Sequence, residues 1–546
     1  MTKSDSELLF LALGGSAEIG MNVNLYGCDG KWVMVDLGMT FADPGYPGID
    51  LVLPDLEFIE KRSDDLLGIV LTHGHEDHIG AIPYLAGDLD VPLYATPFTA
   101  GLIRRKLEEA GLEHDVELNI IPNEGSFELG PFGFRYLPIA HSIAEGNALL
   151  ISTPHGNIFH TGDWKLDDEP LLGIPATPEE LTAVGDEGVL AMICDSTNVF
   201  NNDPSGSEGD VFRNLARVVE EIDTRVLITT FASNAARLQT LGEVAKATGR
   251  TLCVAGRSLD RIIENSRETG YLKDFPPVVD FEEAMNLPRD KVMIVATGGQ
   301  GETRAALGRI AGDSHKIKLT AGDHVLFSSK QIPGNEIAIG RIQNQLAAKD
   351  VVMITDRQEH IHVSGHPGRP ELAKMYDWIR PDILVPVHGE IRHMKEQARF
   401  GRAHGIAHTV FQQNGDIVRL APGKPEVIGQ ERTGRLVLDG DVMIPADGRT
   451  LNERRKIGYN GLISVAVALD GDGKLAGDPV LRLAGVPLEQ DEEEFLDEIG
   501  EDIQSKFVKP VGDLERFSEE LRLLVRRSAT EWTGKKPVVK VLVVET

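Results

Sequence analysis

Five side chains that carry lone pairs crowd into six consecutive positions of the stretch "LTHGHEDHIG": His73, His75, Glu76, Asp77 and His78. A histidine by itself is most often a satisfied structural residue. Burying three imidazoles and a carboxylate side by side without partners, however, would cost several kcal/mol of desolvation. Coordinating a cation removes that penalty. Imidazole and carboxylate without thiolate suit Zn²⁺ or Mn²⁺, and suit a catalytic site better than a closed structural one. Further donors stand at His141 in "LPIAHS", Asp163 in "FHTGDW" and His388 in "VPVHGE". Each alone reads as a turn or cap residue. Together with His73, His75, Asp77 and His78 they are enough for two ions that share a carboxylate. The natural division puts His73, His75 and His141 on one ion, Asp77, His78 and His388 on the other, and Asp163 between them. Two cations about 3.5–4 Å apart clamp a phosphate or carbonyl oxygen and lower the pKa of bound water toward about 7. Asp36, closing "WVMVDLG", reads equally well as an acceptor that orients a ligand histidine or as an ordinary turn residue.

These donors need rigid elements behind them, and the surrounding pattern provides strands. Residues 8–170 read as short apolar runs separated by turns, among them "LLFLAL", "LLGIVLTHG", "FGFRYLPIAH" and "NIFHTGD", several of which end in a candidate ligand. Past the turn-rich "NNDPSGSEG" the rhythm becomes strand and helix in alternation, as in a parallel α/β unit: "RVLITTFAS", "NAARLQTLGEVAKATG", "TLCVAG", "KVMIVATGG", "DHVLFSS", "VVMITD". Residues 391–450 read as further strand and turn. A last unit begins near 455, with "GLISVAVALDGDG", an amphipathic helix from Asp513 that aligns Leu514, Phe517, Leu521, Leu524 and Val525, and a final strand "PVVKVLVVE". No repeat of solenoid period is present.

Composition narrows the class. A chain of 546 residues divides into two or three units, and 41% hydrophobic with 26% charged residues is globular. No apolar run reaches the roughly 18 residues needed to span a bilayer, and "MTKSDSELLFLALGG" lacks the basic flank of a signal peptide, so it reads as a first strand in a cytoplasmic protein with no membrane partner. Cys28, Cys194 and Cys253 show no CxxC pairing, which leaves nitrogen and oxygen to hold any metal. With 55 basic and 85 acidic residues the net charge is −30, which repels polyanions on average without excluding a local basic groove. Part of the excess lies in "LEQDEEEFLDEIGEDIQ", read as a solvated acidic face or linker.

HxHxDH after a strand, with a later His and Asp, resembles the metallo-β-lactamase fold family, whose members span lactamases, thioesterases, glyoxalases and nucleases. The α/β unit between Asp163 and His388, preceded by "CDSTN" and followed by "HVSGH", resembles the β-CASP subgroup. Within it, "LGGSAEIGMN", "PGIDLVLPD", "FASNAARLQ", "GRS", "TGGQGE", "IPGNE" and "HVSGHP" are similar to bacterial ribonuclease J over nearly the whole chain. The resemblance implies an α/β fold: a metallo-β-lactamase αββα sandwich over 1–200 and 361–450, an inserted β-CASP α/β domain over 201–360, and a small C-terminal α/β domain over 451–546. It implies a metal-dependent RNA phosphodiesterase, a 5′→3′ exoribonuclease with endoribonuclease activity in RNA maturation and decay. The expected substrate is 5′-monophosphorylated RNA, and the expected assembly a homodimer or homotetramer. The catalytic residues would be Asp77, His366 as proton donor to the leaving 3′ oxygen, and Asp195 orienting His366 and favouring its imidazolium. His362, Ser364 and His366 would bind substrate phosphate. Ser233 and Asn234 would either contact phosphate or cap a helix, the latter being the preferred reading. "TGGQGE" is at most a weak phosphate-loop signal. The two ions would be zinc first, with manganese or magnesium as alternatives, and a structural calcium would sit near Asp50 and Asp441.

Two rivals share the fold, the first with the metal core and the second without a working site. A small-molecule metallohydrolase of lactamase or thioesterase type explains the acidity but leaves the inserted domain and "HVSGH" idle. A non-catalytic RNA-processing scaffold is disfavoured because the ligand set is complete.

Overall fold

The computed structural model describes residues 7–43, 45–332 and 334–546; the first six residues of the expected N-terminal stretch, and Pro333 of "IPGNE", lie outside the described residues. The chain forms two compact units, one of residues 1–40 and 53–434, the other of 41–52 and 435–546.

In the first unit two sheets lie face to face. An eight-stranded sheet runs in the order Glu426–Gln430, Asp416–Ala421, Leu8–Gly14, Val23–Cys28, Lys31–Val35, Leu66–Val70, Leu93–Ala95, Leu118–Ile120. A seven-stranded sheet runs Ser126–Leu129, Phe132–Pro138, Asn147–Thr153, Gly156–His160, Val189–Asp195, Ile383–Val387, His408–Thr409. Their facing sides bury Phe10, Tyr26, Val33, Phe134, Tyr136, Ile151 and Val385. The outer side of the second sheet buries Leu150, Met192 and Leu384 against Leu181, Leu372 and Met375 of helices Pro178–Asp186 and Arg369–Ile379. Helix Pro97–Ala110 packs on the first sheet at strands Leu93–Ala95 and Leu118–Ile120. Covered strands need no polar face, so "VLAMICD" is buried at every position but Leu190.

Between Val189–Asp195 and Ile383–Val387, which pair in parallel, the chain inserts a third sheet, all parallel, in the order Val278–Val279, Thr251–Ala255, Val292–Ala296, Val226–Thr229, His324–Phe327, Val352–Thr355. Both of its faces are covered, and "VMIVA" and "VLIT" are accordingly buried throughout. One of those cores takes in Phe98, Ile143 and Ala144, so the inserted sheet packs directly on the loop that follows His141.

In the second unit, strand Leu462–Leu469 pairs antiparallel with Val480–Ala484 and parallel with Val538–Glu545. Its alternate residues Ile463, Val465 and Val467 meet Phe495 and Ile499 of helix Glu492–Lys506, and Phe517, Leu521 and Val525 of helix Leu514–Thr533. Asp513 caps the latter helix as its sequence position implies.

Two expectations change. Of the two readings of the acidic stretch, the solvated face holds and the linker does not: Phe495, Ile499 and Ile503 turn inward at helical spacing and the carboxylates turn out. Residues 391–403 also form a helix where strand and turn were expected, because Met394, Ala398 and Gly401 make a buried stripe within an otherwise charged segment. Among the described residues no helix is long and apolar enough to cross a membrane.

Candidate metal and phosphodiester site

All the candidate ligands leave the same edge of the sandwich. Strands Lys31–Val35 and Leu66–Val70 are parallel neighbours, and their carboxyl ends deliver Asp36 and the Thr72–His73 turn. Strands Gly156–His160, Val189–Asp195 and Ile383–Val387 are likewise parallel and deliver Asp163, Asp195 and His388. His75 heads the short helix Glu76–Ile79, which carries Asp77 and His78. His388 and Asp36 have positive φ, +49° and +65°, so both turns are held in the left-handed region to aim their side chains.

The structure gathers the seven expected ligands into two overlapping groups. His73, His75, His141 and Asp163 place one donor atom each within 4.8 Å of one another, as do Asp77, His78, Asp163 and His388. Asp163 is common to both, with Oδ2 3.3 Å from His78 Nε2 and 3.9 Å from the Nε2 atoms of His73 and His141. A third group joins Asp163 and His388 to Asp195 and His366.

Hydrogen bonds behind the rings fix which nitrogen faces the centre. Thr72 Oγ1 gives its one proton to Asp36, so His73 must donate its Nδ1–H to that oxygen at 3.0 Å. His78 donates Nδ1–H to Asp36 at 2.7 Å, and His141 donates Nδ1–H to the Gly365 carbonyl at 2.7 Å. Thr197 Oγ1 donates to the His388 carbonyl at 2.8 Å and therefore accepts the His388 Nδ1–H at 2.6 Å. Four Nε2 atoms are thus turned inward, the usual work of residues behind a metal ligand. Asp36 takes the orienting role left open from the sequence.

The donor set fits cations. His73 Nε2 and His141 Nε2 stand 3.1 and 3.0 Å from His75 Nδ1, and a single proton on that nitrogen could serve only one of the two contacts. Two nitrogens sharing a tetrahedral zinc at about 2.0–2.1 Å would stand about 3.3 Å apart. Burial and the neighbouring imidazoles hold these rings neutral, His75 being lowered to about 4. The second group has the opposite field. Burial alone would lower His78 and His388, but Asp163 and the other carboxylates outweigh it and keep both protonated well above the ordinary imidazole range. Where carboxylates hold two extra protons, a divalent cation finds the same attraction.

Beside this nest stands His366, its Nδ1 2.7 Å from Asp195 Oδ2 and its ring stacked on His388 at 5.5 Å between centroids. Ser364 Oγ accepts the His366 backbone N–H at 3.0 Å, which shapes the "HVSGH" turn. Among the described residues His362 Nδ1 is buried without a hydrogen-bond partner, and burial lowers the ring to about 3. Asn234 caps helix Ala235–Ala247 through its side-chain oxygen on Arg237 N at 2.7 Å; no capping bond comes from the Ser233 side chain. Asp50 and Asp441 lie exposed in the second unit, and among the described residues neither joins a group of three converging metal donors.

Two positioning residues escaped the sequence reading. Thr197 sits inside "CDSTN", where the aspartate alone drew notice. Arg237 is fully buried and uses its whole guanidinium: on Glu208 at 3.1 and 2.8 Å, on Ser328, and on the Ile361 carbonyl at 3.1 Å, one residue before His362.

Comparison with known proteins agrees with this architecture. Residues 21–202 match the metallo-beta-lactamase superfamily, 223–346 the ribonuclease J beta-CASP domain, 351–410 the Zn-dependent metallo-hydrolase RNA specificity domain, and 449–546 the ribonuclease J C-terminal domain. The chain is 41% identical to ribonuclease J of Sinorhizobium meliloti, over 99% of this chain and 97% of that protein. It is 35% identical to ribonuclease J of Mycolicibacterium smegmatis, over 98% and 96%. A crystal structure of a protein of unknown function from Enterococcus faecalis shares the fold at a TM-score of 0.54 and 18% identity, covering 76% of this chain and all of that one.

Proposed function

Since the chain belongs to the ribonuclease J family, we infer that it degrades RNA exonucleolytically, 5′→3′, with preference for a 5′-monophosphate end and with endonucleolytic capacity besides. It is a metal-dependent ribonuclease with a metallo-β-lactamase sandwich, an inserted β-CASP domain and a C-terminal domain. The observation that carries the finer reading is the His366–Asp195 pair standing against a double nest of metal donors.

His73, His75 and His141 would hold one ion and Asp77, His78 and His388 the other, with Asp163 between them. Divalent cations held there supply a water acidified toward neutrality and stabilise charge on the phosphoryl oxygens. Zinc is the proposed ion, with manganese and magnesium the alternatives. Thr72, Asp36, Gly365 and Thr197 keep the ligand rings turned inward. His366, kept cationic by Asp195, hands its proton to the leaving 3′ oxygen, so the released nucleotide retains its 5′ phosphate. His362 and Ser364, with Ser233, receive the terminal phosphate, while the Asn234 side-chain oxygen is committed to its cap. The proposed domain limits are 1–200 with 361–450 for the sandwich, 201–360 for the insertion and 451–546 for the C-terminal domain. A calcium at Asp50 and Asp441, a homodimer or homotetramer, and a cytoplasmic role in RNA maturation and decay complete the proposal.

One RNA sequence bearing either a 5′-monophosphate or a 5′-triphosphate, incubated with Mn²⁺, Zn²⁺ or chelator, tests it. Mononucleotides should appear faster from the monophosphate form and vanish with chelator. Equal rates from both ends would remove the 5′-end preference, and intact RNA with metal bound would remove the nuclease assignment.

A further inference from the structure

At the opposite edge of the sandwich, two hairpin tips meet. Strands Val23–Cys28 and Lys31–Val35 of the first sheet are joined by Asp29 and Gly30, whose φ values of +52° and +78° make the tight two-residue turn that suits such a hairpin. Strands Asn147–Thr153 and Gly156–His160 of the second sheet are joined by Pro154 and His155. Thr153 Oγ1 fixes that turn, accepting from His155 N at 3.2 Å and donating to Gly156 O at 2.8 Å. Both tips precede strands Lys31–Val35 and Gly156–His160, whose far ends deliver Asp36 and Asp163, so this place is a full strand length from the catalytic nest.

Cys28 Sγ, an Asp29 carboxylate oxygen and a ring nitrogen of His155 lie within 4.8 Å of one another. We propose that Cys28, Asp29 and His155 form a second kind of metal site, for a zinc-class divalent cation, that cross-links the two sheets. The donor chemistry sets it apart from the catalytic nest. A thiolate with imidazole and carboxylate selects borderline-soft ions such as Zn²⁺ or Co²⁺ over Mg²⁺ or Mn²⁺, and three protein donors leave one position for water. The residues span both layers: Cys28 is 1% exposed at the base of its tip, while Asp29 is exposed and gives an ion an entry path. Lys31, the cross-strand partner of Cys28, is committed elsewhere, its ammonium bonding Asp65 Oδ1 at 2.9 Å and the Asp64 carbonyl at 3.2 Å. Binding would release the thiol proton to solvent and leave a thiolate on the ion. Sequence spacing hides such a site, since Cys28 and His155 are far apart in the chain and neither belongs to a CxxC or HxH pattern. The expectation that nitrogen and oxygen hold the metal then applies to the catalytic nest alone.

Cobalt reports on this site selectively, because the catalytic donors include no sulfur and a thiolate–Co²⁺ charge-transfer band can come only from a cysteine. Full-length protein saturated with Co²⁺ should show that near-ultraviolet band. Cys28→Ser should abolish it and lower bound metal by about one equivalent per chain. His155→Ala, on the turn, should weaken the cobalt dependence of the band by about tenfold or more and serves if Cys28→Ser does not fold. RNA cleavage should persist in both variants, which separates this site from the catalytic one. A fully loaded parent without a thiolate band, or a band unchanged by both substitutions, would overturn the proposal.

Discussion

The Asp195 carboxylate lies 2.7 Å from His366 Nδ1, and that single contact sets a pH profile. Burial by itself lowers the His366 pKa; the charge and the hydrogen bond of Asp195 overcome it and leave the imidazole above its ordinary value. The sign follows directly. A proton donor is competent while protonated, so the rate should hold through neutral pH and fall as pH rises through this raised pKa. Asp195→Asn keeps the shape and removes the charge, and an opposite charge at this distance is worth about one to three pKa units. The alkaline limb of kcat should therefore move to lower pH by about that amount, with metal content unchanged. Steady-state rates across pH on a monophosphorylated RNA check it. A limb that stays where it was would assign the proton to another group.

Among the elements, a buried strut ties the β-CASP insertion to the segment that leads into His362. Arg237 on helix Ala235–Ala247 pairs with Glu208 at the start of helix Glu208–Glu220 and also donates to the carbonyl of Ile361, which Ser328 Oγ reaches at 2.7 Å as well. Removing one member leaves the other charge uncompensated in the interior, about 3–5 kcal/mol, whereas replacing both by apolar groups is often nearly neutral. Arg237→Met should therefore lower the urea midpoint sharply, and Arg237→Met with Glu208→Met should recover most of it. The recovered double variant should still lose its preference for monophosphate ends, because Ile361 has lost a donor one residue before His362. Retained preference would reduce Arg237 to a purely structural part. The contrast between this strut and the ligands shows what the sequence could reveal. His73, His75, Asp77 and His78 are legible because one turn carries them all, and His141, Asp163 and His388 because each follows an apolar strand. Thr197, Arg237 and Glu208 act only through tertiary contacts, the last over a separation of 29 residues, and leave no local pattern. The helix at 391–403 was obscured in the same way, its three-residue apolar stripe being diluted by charges that face solvent.

For the whole molecule, a net charge of −30 must coexist with a polyanionic substrate, and ionic strength decides which field the RNA feels. At about 0.01 M salt the Debye length is roughly 30 Å, so the summed acidic excess opposes approach; at about 0.1 M it is roughly 10 Å, and only nearby groups still count. Near the site those groups are the donor nest and the cations around His362, whose ring is depressed first by burial and then by Arg237, Lys330 and Lys165. Ordinary nucleic-acid binding weakens steadily with salt because displaced counterions dominate, with a slope of about −0.7 per phosphate contacted on single strands. Here two opposing dependences overlap. Raising salt first screens the long-range repulsion and speeds association, then screens the local contacts and weakens binding. The expected result is a maximum in kcat/KM for RNA at intermediate ionic strength, measured at fixed free metal concentration. A steep monotonic fall from the lowest salt would show that an extended basic surface governs RNA capture, and the opposition between a distant acidic field and local contacts would then fail.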